Sequence, residues 1–385
     1  MNLSEKTNDR SPLQLGFIGG GVSSSIGRVH YVASQLDGRW QLVSGYFSRH
    51  FDISIKTAQT WYIKHDRIYD SLQTFINTES EKLDAVVILT PFHEHVKAIR
   101  SLLEKGIPVI CEKPMASSLD EGYIIREYLD KYPSFFAVIY NYSGYPMVRE
   151  IQEIVKSGEL GKIKKLHFEM PQEGFLRTDS NSGELVAPRQ WRLKDDYIPI
   201  ICHDLGAHLH HLAIFITGKE PISVMGEFAN HSSYDGVIDD VTVLLRYDNG
   251  MNGIFWMSKA ALGTRNGLSL RIFGTKGSIE WKQMEPENLW LSYSDGTRIN
   301  MDRASSTKLC GEPRYNRYAP GHPAGFVEAF ANLYSDIADA LILYRKTGKH
   351  NNPYVFGVNH AISGLKLFSA VSESNHSNCW IDLDR

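Results

Sequence analysis

The chain has 385 residues, 42% of them hydrophobic and 22% charged, so two domains of about 150 residues each, with real cores, are the natural expectation. Lys and Arg total 41 against 44 Asp and Glu, a net charge of -3, which argues against nucleic acid or a polybasic membrane contact as the main partner. The four cysteines are scattered without metal-like pairing, and no apolar run approaches the roughly 20 residues that span a bilayer, so a reducing, cytoplasmic setting is expected.

Residues 1–12 are polar and mixed in charge and read as a loose arm rather than a signal peptide. After them the chain alternates between two periods. Leu13 to Ile18 is a short apolar run ending in glycines, the mark of a buried strand. Ile26 to Leu36 has helical spacing, and Leu42 to Phe47 is strand-like. Leu83 to Leu89 is a nearly continuous apolar run, as in a parallel strand covered on both faces. Val96 to Leu103 is helical and stops at Gly106. Ile107 to Cys111 is a strand, Leu119 to Leu129 a helix and Phe135 to Tyr140 a strand. Strand, helix and strand repeated in this way imply a parallel sheet with right-handed crossovers over residues 1–140.

Beyond Tyr140 the grammar changes, and residues 141–385 read as a second, α+β domain. Met147 to Lys156 is helical and ends at Gly158. Gln172 to Ile198 is loop-rich, and Leu205 to Ile216 is an apolar helical segment. From Ser223 the period is two. Val241 to Tyr247 and Met251 to Ser258 flank Asp248-Asn249-Gly250, a hairpin turn. Leu268 to Phe273, Ser278 to Lys282 and Leu289 to Tyr293 are further strands. Helices return at Gly325 to Tyr344 and Gly357 to Phe368. Strands joined by tight turns predict a large, mostly antiparallel open sheet.

The first strand runs into Gly19, Gly20 and Gly21, then Val22, Ser23, Ser24, Ser25, Ile26 and Gly27 as a helix begins. Glycines at such a turn let the backbone approach a pyrophosphate, whose charge the helix N-terminus holds. The spacing departs from G-x-G-x-x-G: Ser24 stands at the third glycine position and Gly27 follows later. A dinucleotide is therefore expected. The second strand ends in Ser48-Arg49 without an acid, which tilts the expectation from NAD towards NADP.

Three segments carry candidate chemistry. Thr90-Pro91-Phe92-His93-Glu94-His95 and Glu112-Lys113-Pro114 follow strands whose C-terminal ends bind ligands in open α/β sheets. His203-Asp204-Leu205-Gly206-Ala207-His208 leads into the apolar helix. With Gly27-x-x-His30, Trp191-Arg192 and Gly274-Thr275-Lys276-Gly277-Ser278, these segments make the chain resemble the Gfo/Idh/MocA oxidoreductases, which include glucose–fructose oxidoreductase and inositol dehydrogenases. The likeness runs from about Leu13 to Tyr344. Phe92 stands where many members have Asn, and Pro199-Ile200-Ile201-Cys202 replaces a glycine-rich run.

The resemblance implies a Rossmann domain followed by a domain with a large open sheet. It also implies a cis peptide before Pro114 and homo-oligomers formed through the sheet. Oxidising a secondary alcohol needs a base of near-neutral pKa on the hydroxyl, and His208 is the expected base. Asp204, at i-4 on a helix, would orient the substrate or the imidazole, and Lys113 would polarise the oxygen or relay the proton. The roles of Lys113 and His208 are interchangeable at this level. The expected cofactor residues are Gly19, Gly21, Ser24, Ser25, Ile26, Gly27, Ser48, Arg49, Thr90, Pro91, His95, Glu112, Lys113, Asn141 and Trp191. The expected substrate wall is Tyr142, Tyr145, Arg177, Arg192, Asp204, His208 and His322. His203, His208, His210 and His211 are dense, but lack the spacing and H-E-x-x-H pattern of a zinc site, and no metal is expected.

The sequence thus favours an NAD(P)-dependent oxidoreductase of a sugar, glycoside or inositol. A nucleotide-sugar dehydrogenase and a non-catalytic dinucleotide sensor are the alternatives. A sensor would have no need of Lys113, Asp204 and His208 together.

Overall fold

Leu15, Phe17 and Ile18 are buried in succession, which only a strand covered on both faces allows, and they form β1 (Leu13–Gly19). The structure, a computed structural model, describes residues 11–383, so the arm expected at the N-terminus lies almost wholly outside the described residues. After β1 come α1 (Ser25–Gln35), β2 (Trp40–Tyr46), α2 (Phe51–Trp61), α3 (Leu72–Glu79) and β3 (Ala85–Leu89). Then follow α4 (His95–Leu103), β4 (Val109–Glu112), α5 (Leu119–Lys131) and β5 (Phe136–Ile139). The five strands are parallel in the order β2-β1-β3-β4-β5. The order reverses between β1 and β3, the point where open α/β sheets bind ligands.

The second sheet begins after α6 (Pro146–Lys156), with β6 (Ile163–Pro171). A π turn (Cys202–Gly206) leads into α7 (Ala207–Thr217). Strands β7 (Ser223–Ala229), β8 (Asp240–Arg246), β9 (Asn252–Ser258), β10 (Ser269–Gly274), β11 (Gly277–Lys282), β12 (Leu289–Tyr293) and β13 (Arg298–Met301) follow. Helices α8 (Phe326–Thr347) and α9 (Val358–Ser377) and the short β14 (Ile381–Asp382) end the described chain. The nine strands lie in the order β13-β12-β11-β10-β6-β9-β8-β7-β14, antiparallel except for β6 with β9. Gly250, at a φ of 78°, closes the expected β8–β9 turn.

The chain divides into two compact units, the first Met1–Glu112, Ile124–Ile139 and Phe330–Gly357, the second Lys113–Tyr123, Tyr140–Ala329 and Val358–Arg385. The sequence expectation placed one boundary at 140, whereas each unit is built from three segments. Within the first unit, the backbone carbonyl of Tyr334 on α8 accepts from Trp40 Nε1 at 2.8 Å, and its hydroxyl meets His30 Nδ1 at 2.7 Å.

Several elements escaped the periodicity. The buried face of α2 consists of Ser54, Thr57, Ala58 and Trp61, so small and polar residues hide its stripe. The buried face of α3 includes Glu79, whose carboxylate pairs with Arg67. In β6, Lys164 and Lys165 mask the alternation of Leu166, Phe168 and Met170, although the strand is central in its sheet. The edge strands β13 and β14 are too short to carry a pattern.

Gly27 is the tightest of the glycine positions. A Cβ there would collide with the Gly20 carbonyl, so α1 lies directly on the β1 turn. Gly27→Ala should therefore cost about 1–3 kcal/mol by overpacking. It should also weaken dinucleotide binding, as read by thermal denaturation and calorimetric titration with NADH. Unchanged stability and affinity would show that this close approach is dispensable.

Candidate active site

The candidate residues form two sets, one in each unit. In the first unit the β1 turn is built from Gly19 and Gly20, both at positive φ, which side-chain-bearing residues rarely adopt. A Cβ added at Gly19 would lie 2.9 Å from the Leu89 backbone, so the bare backbone is required there, and one at Gly21 would press on Thr57 Oγ1 at 3.0 Å. Ser24 caps α1, its Oγ accepting from the Gly27 amide at 3.2 Å, and Ser25 and Ile26 form the first turn. The close-packing role of a third glycine thus falls to Gly27, and Ser24 serves as the cap.

The other expected residues of this unit lie near the ends of strands. Ser48 Oγ accepts from the His50 amide at 3.0 Å, and Arg49 is exposed. The Thr90 hydroxyl is buried without a hydrogen-bond partner, and Pro91 opens the turn into α4. His95 is buried, with Nε2 on the Thr90 carbonyl at 2.9 Å and Nδ1 facing Cys111 Sγ at 3.4 Å, which makes it a support for the Thr90 turn. Glu112 meets buried His30 Nε2 at 2.8 Å. The bare-backbone cradle, the capped helix start and the unpartnered Thr90 hydroxyl at the strand-order reversal fit a dinucleotide.

In the second unit the centre is Asp204, on the π turn. Its carboxylate takes Lys259 Nζ at 2.6 Å on Oδ2, Arg192 Nη2 at 3.6 Å on Oδ2, and Lys113 Nζ at 3.6 Å on Oδ1. Lys113 Nζ also donates to the Asp204 carbonyl at 2.5 Å, and the Lys113–Pro114 peptide is cis. Burial pushes the Asp204 carboxyl up, but the charges of Lys259, Lys113 and Arg192 outweigh burial and hold it well below the usual carboxylate range. Lys259 is pushed below the usual lysine range by burial, against the pull of Asp204.

His208 is buried in the first turn of α7, edge-on to Tyr142 with ring centroids 4.6 Å apart. Burial, and then Lys113, push its imidazole well below 6.5, with Asp204 opposing, so it is uncharged at neutral pH. Its Nδ1 is buried without a hydrogen-bond partner. An amide chain frames the centre. Gln172 accepts from Lys259 at 2.8 Å and donates to Asn266 at 3.1 Å. Asn266 donates to the Tyr142 hydroxyl at 3.1 Å and to Gln283 at 3.0 Å, and Gln283 donates to the Tyr145 hydroxyl at 2.9 Å. Burial raises the Tyr142 phenol, and that of Tyr145 to about 12.

The structure gathers Lys113, Asp204, Arg192, His208 and Tyr142. Tyr145 is fully buried, one step back along the amide chain. Asn141 opens the turn holding Tyr142, and its Nδ2 is buried and unpartnered. Trp191 lies beside Arg192, whose guanidinium is 5.0 Å from its ring centroid. Arg177 is exposed on the 172–198 loop. His322 is exposed too, and its contacts are local: Nδ1 with the Ala319 carbonyl at 3.2 Å, and its own carbonyl with Arg303. Neither touches the Asp204 centre. Lys259, Gln172 and Asn266 escaped the sequence reading; a lysine directly after the apolar β9 strand was the one available signal.

The remaining histidines turn elsewhere. His203 is pushed down to about 4, chiefly by burial. His211 Nδ1 faces His360 Nε2 at 2.9 Å, and His210 Nε2 faces Ser363 Oγ at 3.2 Å. Among the described residues no group of three or more His, Cys, Asp or Glu side chains is arranged to hold a metal ion. No helix among them is long and apolar enough to cross a membrane.

A model of the oxidoreductase family with an NAD-binding Rossmann fold matches residues 13–140, which places the protein in the class of NAD-binding oxidoreductases. A model of the GFO/IDH/MocA C-terminal domain matches residues 148–280. The chain belongs to the Gfo/Idh/MocA family. It is similar to the uncharacterised oxidoreductase YfiI of Bacillus subtilis, at 26% identity over 96% of this chain and 97% of that one. Its structure is similar to that of an oxidoreductase from Sinorhizobium meliloti, at 29% identity and a TM-score of 0.82 over 97% of this chain and 100% of that one. An inositol dehydrogenase homologue from Azotobacter vinelandii, complexed with NADH and myo-inositol, shares the fold at 24% identity and a TM-score of 0.85, over 97% of this chain and 98% of that one.

Removing one partner of a buried ion pair strands the other. Lys259→Met and Asp204→Asn should each cost about 3 kcal/mol, and the double variant clearly less than the sum. Because the folded Asp204 carboxyl is held below its unfolded value, its ion pairs stabilise above roughly pH 4 and are lost as the pH falls further. K259M should therefore unfold at a higher pH on acidification. Equilibrium denaturation of the four proteins checks both points; strictly additive costs would show that the pair is not coupled.

Proposed function

We propose that the protein oxidises a secondary alcohol of a sugar, glycoside or inositol, or reduces the corresponding ketone. The observation that carries this reading is His208, uncharged, buried and unpartnered at Nδ1, in the turn that follows Asp204. Bound NAD(P)+ supplies the acceptor for the hydride that leaves the carbinol carbon. The backbone of Gly19, Gly21, Ser24, Ser25, Ile26 and Gly27 would hold its phosphates, and Thr90, Pro91, Glu112, Lys113, Asn141 and Trp191 complete the proposed set. His95 contributes through Thr90.

The proton balance falls to the chain's own groups. The hydroxyl proton passes to His208, and the tautomer with its lone pair on Nδ1 makes that atom the acceptor. Lys113, whose Nζ donates to the Asp204 carbonyl, would polarise the reacting oxygen. Asp204, ionised by its three cations, accepts from a substrate hydroxyl and fixes the ring's orientation. Tyr142 and Arg192 line the same place.

Residues 1–140 would serve the dinucleotide and 141–385 the substrate. Exposed Arg49 and neighbouring Ser48 favour a 2′-phosphate, hence NADP, because no acid stands there to accept ribose hydroxyls. A cytoplasmic homo-oligomer formed through the large sheet accords with the family. The related inositol dehydrogenase homologue, in complex with myo-inositol, supports a polyol-like substrate.

A panel of sugars, inositols and nucleotide-sugars, run with both cofactors and followed at the reduced-nicotinamide absorbance, tests the reading. Lys113→Ala and His208→Ala should each lower kcat by about 10²–10⁴. NADH binding by calorimetry should survive in H208A. Turnover unchanged in both variants would sink the mechanism.

Because His208 is active uncharged and its pKa is held down, the acidic limb of kcat/KM for oxidation should lie well below 6.5. Arg49→Ala should weaken NADP(H) binding by about tenfold or more while sparing NAD(H). Equal losses for both would remove the case for a 2′-phosphate site.

A further inference from the structure

The Asp204 centre holds more positive charge than its one carboxylate neutralises. Lys259 is almost fully enclosed, with 6% of its side chain exposed, and makes its ion pair with Asp204. Arg192 makes its ion pair with the same carboxylate, at 3.6 Å. Two cations thus share one anion before Lys113 is counted, and His208 adds no compensating charge. The neighbouring polar groups, Gln172 and Asn266, are neutral amides.

Surplus charge in a half-buried place is costly unless a counter-charge arrives. Arg192 is built to receive one. Its Nη2 touches Asp204 at ion-pair range only, and its Nε is buried without a hydrogen-bond partner. The guanidinium makes no hydrogen bond among the described residues, and its planar array of donors matches the two oxygens of a carboxylate. Lys259 has three donors, of which Asp204 and Gln172 take two.

We propose that this site selects a carbohydrate bearing a carboxylate, an aldonic or uronic acid, with Arg192 and Lys259 as the residues that read the acid group. This rests on the reading of the site as one for a carbohydrate alcohol and narrows its substrate class. The acid group is not consumed. It anchors the substrate while hydride and proton leave a carbinol elsewhere on the same molecule.

The test compares matched pairs: D-glucuronate and D-gluconate against D-glucose, and D-galacturonate against D-galactose, with D-glucose 6-phosphate and myo-inositol alongside. Turnover is followed with both cofactors, and binding to the NADH-loaded protein by calorimetry. A sugar acid should exceed its neutral partner in kcat/KM by about tenfold or more. That ratio should fall towards one in Arg192→Gln and at raised ionic strength. Lys259→Gln should lower it too, with partial recovery in Lys259→Arg. Where K259Q does not fold, R192Q carries the result, because the Arg192 side chain is 38% exposed.

Equal or better turnover of the neutral partners overturns the inference and leaves the dehydrogenase reading standing. Preference for the phosphate ester over every carboxylate also overturns it. If no carbohydrate is turned over or bound although NADH binds, the carbohydrate reading falls and this inference with it.

Discussion

A single carboxylate organises the second unit. Asp204 has 18% of its side chain exposed and would be expensive to keep ionised alone. Three cations from separate parts of the chain prevent that: Lys113 after β4, Arg192 from the 172–198 loop and Lys259 after β9. Lys259, with 6% of its side chain exposed, depends on Asp204 in turn to answer its charge. The arrangement ties the π turn to β9 and to the start of the Lys113 segment. Gly206 lets this turn lie close to its neighbours, because a Cβ there would collide with Phe368 and crowd Met257.

Two of these cations, Lys113 and Lys259, also act on His208. They work with burial to keep the imidazole uncharged, while Asp204 pulls the other way. A base must be neutral before it can accept a proton, and a buried imidazole beside lysines meets that need across the physiological range. The cost is a weaker base. A cation close to the developing alkoxide offsets the cost, since it lowers the basicity the hydroxyl proton demands. Lys113 helps to hold the histidine neutral, and in the proposed reaction it would also stabilise the oxygen. The sequence reading could not separate the two residues because it could not see that they share one field.

Packing, more than charge, governs the dinucleotide side. Gly19 and Gly20 supply positive φ, and Gly27 supplies the close approach of α1 to the turn. Ser24 caps the helix at the position where a glycine was sought. The loop therefore keeps each physical function of the usual fingerprint and redistributes the residues that perform it. A helix start and backbone amides need no surplus of lysine and arginine, which accords with a net charge of -3 over the chain.

Local pattern carried the parallel strands, the hairpin at Gly250 and the α7 segment, because their apolar spacing survives without any partner. Lys113, Asp204 and His208 were legible as candidates for a related reason, since each sits in a short motif of recognisable context. Helix α2 was not legible, because Ser54 and Thr57 face its buried side; nor was β6, where lysines crowd the first turn of an alternating strand. The place of Lys259 beside Asp204, the unbonded Nε of Arg192 and the three-segment make-up of each unit were decided by tertiary structure alone. Periodicity records which face of an element is buried. It holds no record of which distant charge will share that burial, and in this protein the Asp204 centre is made of such charges.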